Sequence, residues 1–224
     1  MTKSTLGFSV QLATNDADLR DACEVRAQAY GHHLPQVRQQ FAEPDAQDRH
    51  RATAIVLCRD KQSDQPTGTL RIQRSTCTPL QLESSVILPR WLAEQPKAEL
   101  TRLAVTRGAD ALTRLMLMKA SYLYCLANQV RWMVIGARSD ALIRIYRRLG
   151  FRDVLESADR VPLQHAGGLL HCILAFDVTA AERTWLAARH GLYSFMIETF
   201  HPDLQLFPDS TVTHRARQAE LAAA

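Results

Sequence analysis

Lysine is scarce in this chain of 224 residues: four of its 27 basic side chains are Lys and the others are Arg. Against 23 acidic residues they leave a formal charge of +4 and a pI near 8.9. An excess of that size favours an anionic partner, such as a phosphate group or an acidic protein surface, and is too small to argue for nucleic acid. There is no helix-turn-helix and no basic stripe interleaved with aromatics, so no nucleic-acid partner is expected. No stretch approaches the ~18 apolar residues that a membrane span needs. Met1 to Val10 has one Lys and no apolar run, so no signal peptide is expected. The five cysteines, Cys23, Cys58, Cys77, Cys125 and Cys172, form no CxxC pair and show no metal-type spacing. Their odd number predicts reduced thiols and a cytoplasmic protein. His32-His33 lacks a spaced acidic or Cys partner, and His165, His171, His190 and His201 lack ligand spacing, so no metal site is expected.

What is present reads as one folded domain. Apolar residues at 46% and charged residues at 22% are ordinary for a globular protein. Phe8-Ser-Val-Gln-Leu alternates as a short strand. Asn15-Asp-Ala-Asp then caps a helix carrying Leu19, Ala22, Cys23, Arg26 and Tyr30, which Gly31 stops. His32 to Asp48 reads as a polar loop with one helical turn. Ala54 to Cys58 and Gly68 to Arg74 form a hairpin around the polar turn Asp60 to Thr67. A short helix is expected near Pro89-Arg-Trp-Leu, and a strand over Ala98 to Val105. Gly108 and Asp110 open a long helix whose apolar stripe is Leu112, Leu115, Met116, Leu123 and Leu126. Trp132 to Gly136 is a buried strand. Ser139 caps a helix that Gly150 ends. Strands over Phe151 to Leu155 and Leu169 to Phe176, a helix over Thr179 to Phe200 and a loose tail from Pro202 complete the chain. Helices alternating with strands predict a mixed α/β sheet.

Two segments carry chemistry. Glu99-Leu-Thr-Arg-Leu-Ala-Val-Thr-Arg-Gly-Ala-Asp runs from strand into helix. Around Arg107 to Ala111 the first helical N–H groups lack internal partners and sit at the positive end of the helix dipole. Such an end attracts phosphate, and Gly108 lets the backbone approach it closely. A plain strand-to-helix turn would look the same. In the second segment, Tyr146 lies four residues before Gly150 on the last turn of its helix. Its hydroxyl can donate a proton to a leaving thiolate, or it can be a packed tyrosine with a satisfied hydroxyl.

Together, strand, phosphate-binding turn, long helix, strand, helix and Tyr146-Arg-Arg-Leu-Gly150-Phe151 resemble the GNAT acyltransferase superfamily over residues 8–178. The expected fold is therefore α/β, a mixed sheet in a GNAT-like three-layer arrangement. Residues 1–178 form the domain, and 179–224 a C-terminal helical extension and tail packed on it. The phosphate loop departs from the usual Arg/Gln-x-x-Gly-x-Gly/Ala, since only Arg107-Gly108-Ala109 is present. A narrower resemblance rests on Arg26 and Tyr30, Asp45 and Asp48, Arg71 in Gly68-Thr-Leu-Arg, and Glu99-Leu-Thr-Arg102. In that order they look like the acyl-homoserine lactone (autoinducer) synthases and the related N-acyl amino acid synthases. The autoinducer synthases place a tryptophan six residues after the aromatic matched by Tyr30, in the part that meets S-adenosylmethionine. Gln36 stands there in this chain, which points to the N-acyl amino acid synthase branch.

The resemblance implies an N-acyltransferase that moves a fatty acyl group from an acyl carrier protein thioester to the amine of an amino acid or similar small metabolite. The alternatives are a coenzyme A-dependent N-acetyltransferase and a non-catalytic acyl-binding module. No tightly bound cofactor is implied: the donor is acyl-phosphopantetheine on acyl carrier protein, or acyl-CoA. A lipid product would bring the protein to the periphery of a membrane. Glu99 and Tyr146 are the implied catalytic residues. Arg26, Tyr30, Asp45, Asp48, Arg71 and Arg102 bind substrate, and Leu103, Val105, Arg107, Gly108 and Ala109 hold the donor.

Physical reasoning attaches roles to these positions. An amine must lose a proton to attack a thioester, and the Glu99 carboxylate can take it. An ion pair with Arg71 or Arg26 would keep that carboxylate ionised; the same residues could instead be a structural network, with Asp45 and Asp48 anchoring the loop. Strict alternation sends Arg102 to the face opposite Glu99 unless a bulge intervenes. Backbone N–H groups near Leu103 to Val105 are candidates for an oxyanion site. Met116, Trp132 and Met133 either line an acyl tunnel or are plain core. Arg144, Arg147 and Arg148 are either a solvated face or a dock for an acidic carrier protein.

Overall fold

The computed structural model describes residues 2–33, 39–156 and 159–207. In chain order these form β1 (Thr2–Lys3), β2 (Phe8–Leu12), α1 (Asp16–His33), β3 (Thr53–Asp60), β4 (Pro66–Arg74), α2 (Arg90–Ala93), β5 (Lys97–Val105), α3 (Thr113–Ala127) and β6 (Trp132–Ala137). Then follow α4 (Asp140–Leu149), β7 (Arg152–Asp153), β8 (Arg160–Leu163), β9 (Leu169–Asp177), α5 (Ala181–Ala187), β10 (Thr199–Phe200) and β11 (Leu204–Gln205). The main sheet runs β11-β2-β3-β4-β5-β6-β9-β7, with β8 also paired to β9. β5 and β6 are parallel, and β2 to β5 are joined antiparallel. This is the mixed α/β sheet expected from the alternation of elements.

Side-chain alternation divides each strand between two faces. On one face Val56, Cys58, Leu70, Ile72, Ala98, Leu100, Met133 and Ile135 join α3 and α4 in the principal apolar core. On the other, Ile55 and Leu57 pack beneath Ala22 of α1, while Trp132, Val134, Ile173 and Ala175 pack beneath the segment Leu80–Leu92. Between these two covers lie β4 and β5, whose residues on this face are polar: Arg71, Gln73 and Glu99 are all buried.

The caps of α4 are those read from sequence. Ser139 Oγ accepts the Leu142 N–H, and Gly150 closes the helix in the left-handed region at φ 103°. Other expectations need correction. The long helix begins at Thr113, not near Gly108, because the Asp110 carboxylate and carbonyl take the N–H groups of Leu112 and Thr113 and hold the preceding residues in a turn. Its expected stripe is also displaced: Leu112 and Leu126 are exposed, and Leu117, Met118, Lys119, Ala120 and Tyr124 are buried instead. The C-terminal segment covers the helix's far side. There Lys119 Nζ donates to the carbonyls of Phe195 and Thr199 and lies 3.1 Å from Nδ1 of His201.

The single helix expected over 179–200 is broken. α5 stops at Ala187, Arg189 turns left-handed at φ 47°, and a π-helical turn over Ser194–Glu198 leads into β10. Within the tail expected to be loose, Leu204 and Gln205 pair in parallel with Val10 and Gln11. β8 was unforeseen, and the strand expected over Phe151 to Leu155 is only two residues long.

Candidate functional site

A cavity of about 370 Å³ opens on the polar face, between the C-terminal half of β5, the end of β6, α1 and the β8–β9 turn. Glu99, Thr101 and Arg102 of β5 border it. Tyr30 and Phe41 stand on one side, and Gly136, Arg138, Leu163, His165 and His171 on the other. The cavity exists because two neighbouring strands part. β5 and β6 are paired only from Lys97↔Trp132 to Leu100↔Ile135, whereas β4 continues along β5 as far as Gly68↔Val105. Beyond Leu100, the β6-facing backbone of β5 therefore has no strand partner.

The same stretch contains a bulge. Arg71 pairs with Thr101 and Thr69 with Ala104, so three steps on β5 match two on β4. Arg102 sits there at φ 57°, in the left-handed region. The extra residue cancels the alternation, and Arg102 borders the same cavity as Glu99 instead of the opposite face. Its guanidinium lies 4.2 Å from the Phe41 ring centroid and 3.8 Å from Asp45. Burial, with Arg71 nearby, lowers the Arg102 pKa to about 10.

Arg71 is fully buried and saturated. Its Nη1 donates to both oxygens of Asp45 at 2.9 Å and reaches Asp48 at 3.3 Å; Nη2 donates to Gln81 at 2.7 Å and Nε to Thr101 at 2.9 Å. Asp48 also accepts from Arg26 at 2.7 Å. The ion pair expected between Glu99 and Arg71 or Arg26 is thus absent, because Asp45 and Asp48 hold both guanidinium groups. The four residues tie the loop to α1 and β4. Tyr30 donates its hydroxyl to the carbonyl of Leu103 at 3.0 Å, on the parted stretch of β5. Gln36 lies outside the described residues.

Glu99 is 1% exposed. Oε2 accepts the Leu82 N–H at 3.0 Å, and Oε1 lies 3.2 Å from Nε2 of His165. Burial pushes its carboxyl up to about 7, opposed by the Leu82 N–H and by Arg71. His165 is pushed down to about 4 by burial and by the charges of Arg102 and Arg71. The sequence reading passed over His165. The available signal was Gly167-Gly168, a double glycine that turns the chain sharply at φ 67° and 74° and folds the preceding residue back over the sheet.

Tyr146 does not border the cavity. It is buried against Phe151, with ring centroids 5.5 Å apart, and burial and the nearby Tyr30 raise its pKa to about 12. At the turn before α3, Gly108 is left-handed at φ 81° with open space where a Cβ would stand, Arg107 is exposed, and the Ala109 N–H bonds the Thr106 carbonyl. Asp110 already places a carboxylate at this turn. Met116, Trp132 and Met133 are core residues that do not reach the cavity. Arg147 is paired in two contacts with Asp153, leaving Arg144 and Arg148 as the exposed cations of α4 without a carboxylate contact among the described residues.

In sequence, no protein family and no curated protein matches the chain. In structure it is similar to an N-acyl amino acid synthase from uncultured soil microbes, with a TM-score of 0.64 and 15% identity over 84% of this chain and 98% of that one. It is also similar to a CoA-dependent acyl-homoserine lactone synthase solved with SAM and isopentyl-CoA, at TM-score 0.56 and 18% identity, over 95% and 100% of the two chains. A third is the ribosomal-protein-S18-alanine N-acetyltransferase from Escherichia coli, at 0.51 and 15%, over 76% and 94%. The architecture is thus the GNAT fold, the fold shared by these acyltransferases.

Proposed function

We propose that the protein is an N-acyltransferase that moves a fatty acyl group from the thioester of an acyl carrier protein to the amine of an amino acid or similar small metabolite. The observation that carries this reading is a buried carboxylate, Glu99, bordering a cavity at the point where β5 and β6 part. Thiol ester aminolysis needs a proton acceptor close to neutral pH, and a carboxyl near 7 is half ionised there. Glu99 accepts the proton directly or through one water. The unpaired backbone beyond Leu100 offers N–H groups to the tetrahedral oxyanion. Tyr146 lies off the cavity but close enough to feel the charge of Tyr30 at its rim; protonated at neutral pH, it is the proposed donor to the departing thiolate. Arg102 and Arg138 give the cavity the positive charge that a carboxylate on the acceptor would seek.

Carrier protein is favoured as donor by the turn before α3. Asp110 holds one of its N–H groups and adds a negative charge, which suits the single phosphate of phosphopantetheine better than the several phosphates of coenzyme A. The exposed Arg144 and Arg148 suit an acidic protein surface. Coenzyme A is the second reading, on the open, left-handed Gly108. Four buried free cysteines, Cys23, Cys58, Cys125 and Cys172, fit a reducing, cytoplasmic setting. Among the described residues no helix is long and apolar enough to cross a membrane, and attachment to one would come through a lipid product. Purified protein given long-chain acyl carrier protein or acyl-CoA, with thiol release and product mass followed together, separates the two donors. Turnover with acetyl-CoA alone would reverse the choice.

A further inference from the structure

This inference rests on the reading above and concerns the residue facing its base. Glu99 has both oxygens engaged: Oε2 by the Leu82 N–H and Oε1 by the His165 ring at 3.2 Å. The turn that presents His165 is firmly held. Leu163 is buried, the Gln164 N–H bonds Ser85 Oγ at 2.9 Å, and Gly167 and Gly168 return their N–H groups to Gln164 and Leu163. Nδ1 of His165 is buried and has no partner. A ring with one nitrogen 3.2 Å from a carboxylate and the other in no hydrogen bond places its proton on the first.

We propose that His165 is the positioning residue of this site: its Nε2–H donates to Oε1 of Glu99, aims the carboxylate at the acceptor amine and governs its proton affinity. In the step it supports, the amine nitrogen attacks the thioester carbon, the N–C bond forms, and one amine proton passes to Glu99. The C–S bond breaks with its electron pair on sulfur. The thiolate takes a proton from water, directly or through Tyr146, whose phenolate then regains one from water, and Glu99 returns its own to solvent.

The groups facing the pair come from five elements. Burial, and then the positive charges of Arg102 of β5 and Arg71 of β4, hold His165 neutral. Glu83, in the turn over Gln81–Ser84, is negative and raises Glu99, with Lys97 Nζ of β5 3.7 Å from its carboxylate. His171 of β9 is kept from protonation by burial. Asp45 and Asp48, in the loop before β3, balance Arg71. None of these can replace the imidazole as donor to Oε1, since Arg71 and Arg102 are committed elsewhere.

The test compares wild type, His165→Ala and His165→Gln in two ways. The first is the pH profile of kcat/KM for amide formation from long-chain acyl carrier protein and a mixture of the common amino acids. The second is a ¹³C carboxyl titration of Glu99, assigned with Glu99→Gln, which needs no substrate. In His165→Ala the titration midpoint and the acid limb should rise together by about one pH unit. Activity should fall about tenfold below the midpoint and recover towards high pH. His165→Gln, which restores an N–H at the same reach, should stay within about threefold of wild type. An unmoved midpoint, or an equal loss at every pH, overturns the proposal. A midpoint that moves in a protein forming no amide from any donor upholds the pairing and overturns the function instead. If His165→Ala fails to fold, His165→Asn, too short to reach Oε1, takes its place with the same expectations.

Discussion

The two faces of β4 and β5 share a backbone and differ in almost everything else. Leu70, Ile72, Ala98 and Leu100 point to α3 and are dry; Arg71, Gln73 and Glu99, one position along each strand, point the other way and are polar yet equally buried. Burying charge costs stability unless each group is paired, whereas burying leucine stabilises by roughly 1.5–3 kcal/mol. The apolar face therefore carries the fold, and the polar face is tolerated because Asp45, Asp48, Gln81 and Leu82 satisfy it. Glu99 is the exception, with no cation in contact and a raised pKa. The difference teaches that the residue most costly to the fold is the one best suited to chemistry.

Mutations at these positions can break that comparison. The largest effect is expected at Glu99→Gln, about 10²- to 10⁴-fold in turnover by steady-state kinetics, with the fold retained by circular dichroism. Stability should move the opposite way. The folded carboxyl titrates near 7 and the unfolded one near 4.5, so the folded chain holds its proton more tightly. The group therefore costs stability as pH rises through that window, and the cost is complete above it. Glu99→Gln should gain on wild type in thermal melts as pH rises from about 4.5 to 7. His165, lowered from 6.5 to about 4, has the opposite sign, favouring the fold as pH rises between those values.

Next is the contrast of neighbours. Arg71→Met removes the close partner of Asp45 and Gln81 and leaves Asp48 to Arg26 alone, and should lose about 3–5 kcal/mol in urea melts together with activity. Leu70→Ala should lose about 2–5 kcal/mol while activity per folded molecule is kept. If Leu70→Ala abolished activity in folded protein, the division of labour between the faces would be wrong. Tyr146→Phe should lower kcat about tenfold without moving the melt. Smallest is Arg144→Glu with Arg148→Glu, which should raise KM for acyl carrier protein several-fold, more at low salt, and leave kcat alone.

Much of the fold was legible because it follows local rules. Ser139 and Gly150 bound a helix by capping, and the central strands are runs of Val, Ile and Leu with turn residues between them. What failed depends on distant partners. The α3 stripe assumed one wet side, but Phe195 and Thr199 cover it from about 80 residues away, through Lys119. The last helix kept its apolar spacing past Ala187, yet the left-handed Arg189 ends it, and His190 reaches back to the Arg148 carbonyl at 2.7 Å. At the site, Glu99 and the Arg26, Asp45, Asp48 and Arg71 set could be read from their order along the chain. Their pairing could not, because Asp45 and Asp48 outcompete Glu99 for Arg71 only once the loop has folded. The bulge at Arg102 leaves no compositional trace. His165 lies 66 positions from Glu99, on a turn that only the sheet brings near.

The central claim is that Glu99 serves acyl transfer to an amine. Mass spectrometry of lipid extracts from cells expressing wild type or Glu99→Gln tests it most directly. A long-chain N-acyl amino acid should accumulate with wild type and not with the variant. Equal accumulation from both, or no acylated amine from wild type, would contradict it.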